Sequence, residues 1–203
     1  TRQSHTPISF VSRRIDLAIA GLIAISFLVG GLIPEPIREL LRWSREAPPI
    51  EWLWRSWCAH WLHLDLTHAL LNVAGFGLVL AWLSNALTKK GWVIVSAVAI
   101  LSIDLGLWWL TNFEWYVGSS ALIHSIAAAG IAIRVADGEW FAFVAALAGL
   151  LKLAFEQLSD TGASLSGIPI ATDAHLFGAM SGVICGLIFA STGWCRPRSI
   201  ALS

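Results

Sequence analysis

Three apolar stretches of the chain open with side chains that together could hydrolyse an amide: His68 with Asn72, Gly118 with Ser119 and Ser120, and His175. That reaction needs a nucleophile, a base to take its proton, and donors aimed at the oxyanion. Ser120 is the candidate nucleophile. It falls in the first turn of its stretch, where free backbone N–H groups and the positive end of the helix dipole face an attacked carbonyl. Gly118, two residues earlier, lets the chain turn sharply and a substrate backbone approach. His175 can act as general base towards the serine and then as general acid towards the leaving amine. His68 and Asn72 are four apart on one helix face, so an imidazole N–H and an amide NH2 can point at one spot. Each residue also has a plainer use. A serine at a helix start is the ordinary N-cap, and asparagine in a membrane helix bonds a neighbouring helix. What favours chemistry is joint placement: if the stretches cross a membrane in alternating directions, the second, fourth and sixth enter from the same face.

His124 competes with His175 for the base. At i+4 from Ser120 it shares a helix face and leans back towards the serine. It is either the base itself, a supporting ring beside His175, or a core residue.

The elements that must position these groups are apolar helices. Of 203 residues, 57% are hydrophobic and 13% charged, against about a quarter charged in soluble domains, and the mean hydropathy is +0.72. Six apolar windows, roughly 15–33, 67–87, 91–111, 118–136, 139–157 and 173–193, each approach the ~20 residues that carry a helix across ~30 Å of hydrocarbon. The runs are unbroken rather than alternating, which favours a helix bundle over a barrel. The expectation is an all-α membrane protein, one domain over 1–203, with six transmembrane helices and a long external loop between helices 1 and 2. No small-residue cleavage site follows the first window, so it reads as a retained helix.

Lys and Arg set the orientation. Arg2, Arg13, Arg14, Lys89, Lys90, Arg134, Arg196 and Arg198 fall on one side, which places both termini in the cytoplasm. The opposite side holds the loop after window 1, with Arg38, Arg42, Arg45 and Arg55 among prolines and tryptophans. Within it Ile37, Leu40, Leu41 and Trp43 stand at helical spacing, so residues 36–45 read either as a surface-lying helix or as a tryptophan-anchored loop. Residues 158–172 form a small, polar outer loop, a plain connection or a lid.

Gly178, Gly182 and Gly186 in window 6, and Ala121, Ser125, Ala128 and Ala129 in window 4, let two helices approach closely. That contact would bring Ser120 towards His175. Asp104 and Lys152 lie inside windows 3 and 5 at matching depth, where each charge costs ~2.5–3.5 kcal/mol unless paired or hydrated, and a mutual ion pair is one solution. Net charge is zero, giving no reason to expect nucleic acid. Cys58, Cys185 and Cys195 lack a C-x-x-C pair, and His60, His63 and His68 lack the partners for a closed metal set, so neither metal nor cofactor is expected.

Taken together these residues resemble the rhomboid family of intramembrane serine proteases. The resemblance rests on Trp54-Arg55, on His63-x-x-x-x-His68-x-x-x-Asn72, on Gly118-x-Ser120-Ala121, and on Ala174-His175-x-x-Gly178-x-x-x-Gly182, and it covers nearly the whole chain. It implies a six-helix fold with Ser120 as nucleophile, His175 as base, and His68, Asn72 and the Ser120 N–H as oxyanion hole. It also implies a dyad, with no acid completing a triad; Asp173, two residues before His175, need not reach the ring. Rhomboids carry a tyrosine packed on the base where this chain has His124. Trp54, Arg55 and His63 would brace the first loop, with Gly118 and Gly178 supporting the site. The run from Tyr116 to His124 is similar to the rhombosortase signature, with Ala121 in place of a usual glycine and a double serine at the turn. Rhombosortases are small bacterial rhomboids that cleave the C-terminal Gly-Gly sorting tail of secreted proteins. The implied partners are membrane lipid and such a tailed substrate, in the bacterial inner membrane with the site towards the periplasm. Two other classes compete: a catalytically silent rhomboid-like protein that binds membrane helices, and a transporter or channel. The second is disfavoured because the polar groups gather at one face.

Overall fold

The computed structural model describes residues 10–158 and 171–197, with side chains from residue 17 onward. The outer loop or lid expected at 158–172 therefore lies almost wholly outside the described residues. The chain is mostly helical. Its long helices are α1 (Phe10–Leu32), α4 (Leu66–Leu83), α5 (Lys89–Leu110), α6 (Ser120–Ala136), α7 (Trp140–Leu158) and α8 (Thr172–Thr192), with short helices α2 (Glu35–Leu41) and α3 (Trp52–Cys58) between α1 and α4. The six long helices fall within a few residues of the six apolar windows. Four of them, α4, α5, α7 and α8, are long and apolar enough to cross a membrane; a fifth candidate is α1 taken with α2, bent by 119° at the break. The chain is thus an all-α membrane protein.

α6 and α8 form the centre and make the most extensive contact in the fold. The cause is the absence of side chains on one face of α8. A Cβ at Gly178 would strike the carbonyl of Ala121, one at Gly182 that of Ser125, and one at Gly186 that of Ala129. The approach also brings Ser125 Oγ within 3.1 Å of Ser181 Oγ. α5 packs on α8 and α6, α4 on α6 and α1, and α7 on α6 and α8. α7 is the most exposed of these: among its residues only Ala142 is buried.

The segment between α1 and α4 is held by arginines that satisfy backbone carbonyls, and a charged donor strengthens each such bond. Arg45 donates to the carbonyls of Leu107 (2.6 Å), Trp108 (2.7 Å), Thr111 (2.7 Å) and Phe113 (3.0 Å), which caps the C-terminal end of α5. Arg55 binds the carbonyls of Glu39 (2.6 Å) and Arg42 (2.9 Å) and the carboxylate of Glu51. Arg38 donates to the carbonyls of His63 and Leu64. Of the two readings of 36–45, a surface helix or a tryptophan-anchored loop, each holds in part: a helix covers Glu35–Leu41. It stops at Leu41, because Trp43 and Ser44 (β1) pair antiparallel with Trp115 and Tyr116 (β2), and Trp43 is buried rather than lying on a surface.

Candidate active site

The turn leading into α6 is built around Gly118, whose φ is 130°. That conformation is open to glycine alone at acceptable cost. A Cβ there would also sit 3.0 Å from Cε1 and 3.2 Å from Nε2 of His68. The turn is pinned from outside: Gly118 N–H donates to the Ala59 carbonyl (2.9 Å), and Tyr116 Oη donates to the Gly118 carbonyl (2.6 Å). The two serines then point apart. Ser119 Oγ bonds His63 Nε2 at 3.0 Å, with both residues wholly buried. Ser120 Oγ lies 2.8 Å from His175 Nε2 and borders a cavity of about 790 Å³.

His68, Asn72, His124, Glu156 and His175 line the same cavity, together with apolar residues that include Leu71, Val117 and Ile123. The N-terminus of α4 is fixed by Asp65, whose side chain accepts from His68 N–H at 2.8 Å. His68 Nδ1 accepts from the Leu64 N–H at 3.4 Å. That leaves the ring hydrogen of the neutral form on Nε2. Asn72 Nδ2 donates one hydrogen to the His68 carbonyl (2.9 Å) and keeps a second. His124 stacks on His175 with ring centroids 4.4 Å apart and planes 16° apart. Its Nδ1 donates to the Ser120 carbonyl at 2.7 Å, so its polar contact is with the backbone and not with the Ser120 hydroxyl.

All four residues expected to act on a substrate, Ser120, His175, His68 and Asn72, thus meet at one cavity, with Gly118 and His124 beside them. Gly178 sits behind the serine against Ala121. His63 and Arg55 lie outside the cavity, the first under the serine turn and the second in the loop. Trp54 is 41% exposed and donates its indole N–H to the Leu40 carbonyl (3.3 Å). Burial holds the His63 pKa down to about 4, the nearby His68 adding to it, and burial does the same to His60. Both rings are therefore neutral around pH 7. Among the described residues no three His, Cys, Asp or Glu side chains are grouped to hold a metal ion.

One pairing is overturned. Lys152 bonds Glu156 on its own helix (2.5 Å), while Asp104 on α5 makes no ion pair among the described residues. Among the described residues α5 and α7, which carry Asp104 and Lys152, make no contact with each other. One residue was missed: Glu156, whose Oε2 lies 3.0 Å from His175 Nδ1. Its signal was available, since Lys152 and Glu156 are an i,i+4 charge pair at the end of an otherwise apolar window.

No protein-family model matches the chain, and no curated protein matches it either.

Proposed function

We propose that this protein is an intramembrane serine endopeptidase of the rhomboid type, nearest to the rhombosortases, that cleaves the membrane-embedded C-terminal sorting tail of a partner protein. In this reading six helices span the bacterial inner membrane, both termini are cytoplasmic, the loop between α1 and α4 is external, and the site faces the periplasm. The observation that carries the reading is the 2.8 Å contact of Ser120 Oγ with His175 Nε2 in a cavity that also holds His68 and Asn72. The shortness of α6 supports it further. The helix has 17 residues. At about 1.5 Å of rise per residue it spans about 25 Å, which falls short of a hydrocarbon layer about 30 Å thick. Ser120 then starts its helix below the membrane surface, and the cavity gives it access to water.

The chemistry follows from the placement. Ser120 Oγ attacks the scissile carbonyl as its hydrogen passes to His175 Nε2. The oxyanion is met by His68 Nε2–H, by the second hydrogen of Asn72 Nδ2, and by the Ser120 N–H, which has no partner within a helix it begins. His175 gives the proton to the leaving amine, and water then releases the acyl group by the same steps reversed. A Gly-Gly pair at the cut suits the site, because the substrate must unwind to reach Ser120 and glycine weakens a helix.

The test is co-expression with a secreted protein bearing a Gly-Gly tail, beside a second substrate with an unrelated membrane helix. The expected result is a shortened product from the first, absent with Ser120→Ala or His175→Ala. Cleavage of the unrelated helix alone would leave a protease of other specificity. Cleavage of neither, with the folded protein present, would leave a silent helix-binding member of the family.

A further inference from the structure

Glu156 stands in the last turn of α7, within an apolar helix. A carboxylate at that end opposes the helix dipole. An i,i+4 pair with Lys152 would by itself account for such an acid, and an exposed pair of that kind contributes little. The geometry is not that of an exposed pair. The Lys152 side chain is 48% exposed, whereas that of Glu156 is 14% exposed and turns inward to the His175 side chain, 6% exposed. Both carboxylate oxygens are occupied, Oε1 by Lys152 Nζ at 2.5 Å and Oε2 by His175 Nδ1 at 3.0 Å.

We propose that Glu156 is a positioning residue that extends the Ser120–His175 pair into a Ser–His–Glu relay, with Lys152 holding the carboxylate in place. This rests on the function proposed for Ser120 and His175. A carboxylate only accepts, so the Nδ1 that faces it carries the ring hydrogen. The free lone pair is then on Nε2, towards the Ser120 hydroxyl, which is the tautomer a base requires. Without the acid a neutral imidazole is free to carry its hydrogen on Nε2, and in that form it cannot accept from the serine.

During attack the Oγ–C bond forms, the Oγ–H bond breaks, and the proton joins Nε2 to give an imidazolium. The Glu156 carboxylate lies against that new charge and remains ionised throughout. When the C–N bond breaks, the proton leaves Nε2 for the amine. The other groups that face His175 cannot take this part. His124 on α6 spends its Nδ1–H on the Ser120 carbonyl, His68 on α4 has its Nδ1 held by the Leu64 N–H and carries no negative charge, and Lys152 has the wrong sign. The contact also ties the outer end of α7 to α8, which matters for a helix that buries only Ala142.

The experiment measures fluorophosphonate labelling of the purified full chain over a series of probe concentrations, separating the maximum rate from the half-saturating concentration. In this reaction Oγ–P forms, P–F breaks, and His175 takes the serine proton. Glu156→Gln should lower the maximum rate by about 100-fold or more, in the direction of the acid-to-amide change in a serine protease triad, with half-saturation within about threefold. Lys152→Met should cost about tenfold or less. Glu156→Ala should be slow as well, and recover at least tenfold with added formate but not with chloride, a response that a merely structural role would not give. Wild-type maximum rates in both Glu156 variants, or slow labelling that tracks lost thermal stability with no recovery by formate, would overturn the inference. Labelling that survives Ser120→Ala would instead overturn the proposed function, so the two failures are distinguishable.

Discussion

The double serine offers the sharpest separation of structure from chemistry, because adjacent hydroxyls in one turn do opposite things. Ser119 Oγ is wholly buried and bonds His63 Nε2, while Nδ1 of His63 makes no hydrogen bond of ordinary geometry among the described residues. Ser119→Ala therefore strips a buried ring of its remaining side-chain bond. Leaving one such group unsatisfied costs about 1–3 kcal/mol, and at about 2–4 °C per kcal/mol for a chain of this size, a loss of about 2 kcal/mol lowers the melting temperature by about 4–8 °C. Ser120 faces the cavity, so Ser120→Ala removes a bond that water can replace, and stability should change by less than about 1 kcal/mol. Fluorophosphonate labelling per folded molecule should show the reverse order: within about threefold of wild type for Ser119→Ala, and absent for Ser120→Ala. The assay pairs a thermal melt in detergent with labelling of the same preparation. The reasoning is refuted if Ser119→Ala abolishes labelling at unchanged stability. A thermodynamic cycle of Ser119→Ala with His63→Leu should further give a coupling of about 1–2 kcal/mol, and simple additivity would remove the bond from the account.

Four further outcomes follow. His60 and His63 titrate at about 4 when folded, against an ordinary 6.5. Between those values the unfolded chain binds more protons, so stability should be flat above pH 6.5 and fall as pH drops towards 4; His60→Phe should make the fall shallower, and an unchanged slope would exclude that ring as a cause. Gly182→Val places side-chain atoms against the Ser125 backbone, so α6 and α8 must separate and a melt should show a loss of at least about 1–3 kcal/mol; unchanged stability would mean the helices are less tightly apposed. His124→Phe keeps a flat ring on His175 and loses only the bond to the Ser120 carbonyl, so labelling should stay within about tenfold, whereas loss equal to that of His175→Ala would move the base to His124. Arg45→Met removes four hydrogen bonds to carbonyls at and just beyond the end of α5, of which, among the described residues, only that of Leu107 keeps another side-chain donor, Thr111 Oγ1. It should cost at least about 3 kcal/mol by chemical denaturation, given about 1.5–3 kcal/mol for each bond to a charged donor.

The helices were legible because each is written as an unbroken apolar run, and lipid or protein interior demands that such a run satisfy its own backbone. The α6–α8 contact was legible too, in the glycines at 178, 182 and 186 facing the small residues of α6, since a missing side chain is visible in sequence and its consequence is steric. What could not be read is what depends on several elements at once. Trp43 carried a helical spacing, but its burial is decided by Tyr116, far along the chain, which pairs with it across β1 and β2. Asp104 and Lys152 matched in depth, yet depth says nothing of which helices adjoin, and α5 and α7 do not. Glu156 was legible as the i,i+4 partner of Lys152 but not as the partner of His175. An acid at a helix end reads as interfacial until α8 is placed against α7 and His175 is seen to face it.

The central claim is that Ser120 is a nucleophile activated by His175, and the position of a covalent adduct tests it most directly. Intact full-length protein treated with a fluorophosphonate and digested for mass spectrometry should carry one adduct, on Ser120 in the peptide that begins α6, with none in His175→Ala under the same conditions. An adduct on Ser119 or elsewhere, or labelling undiminished in His175→Ala, would contradict the account.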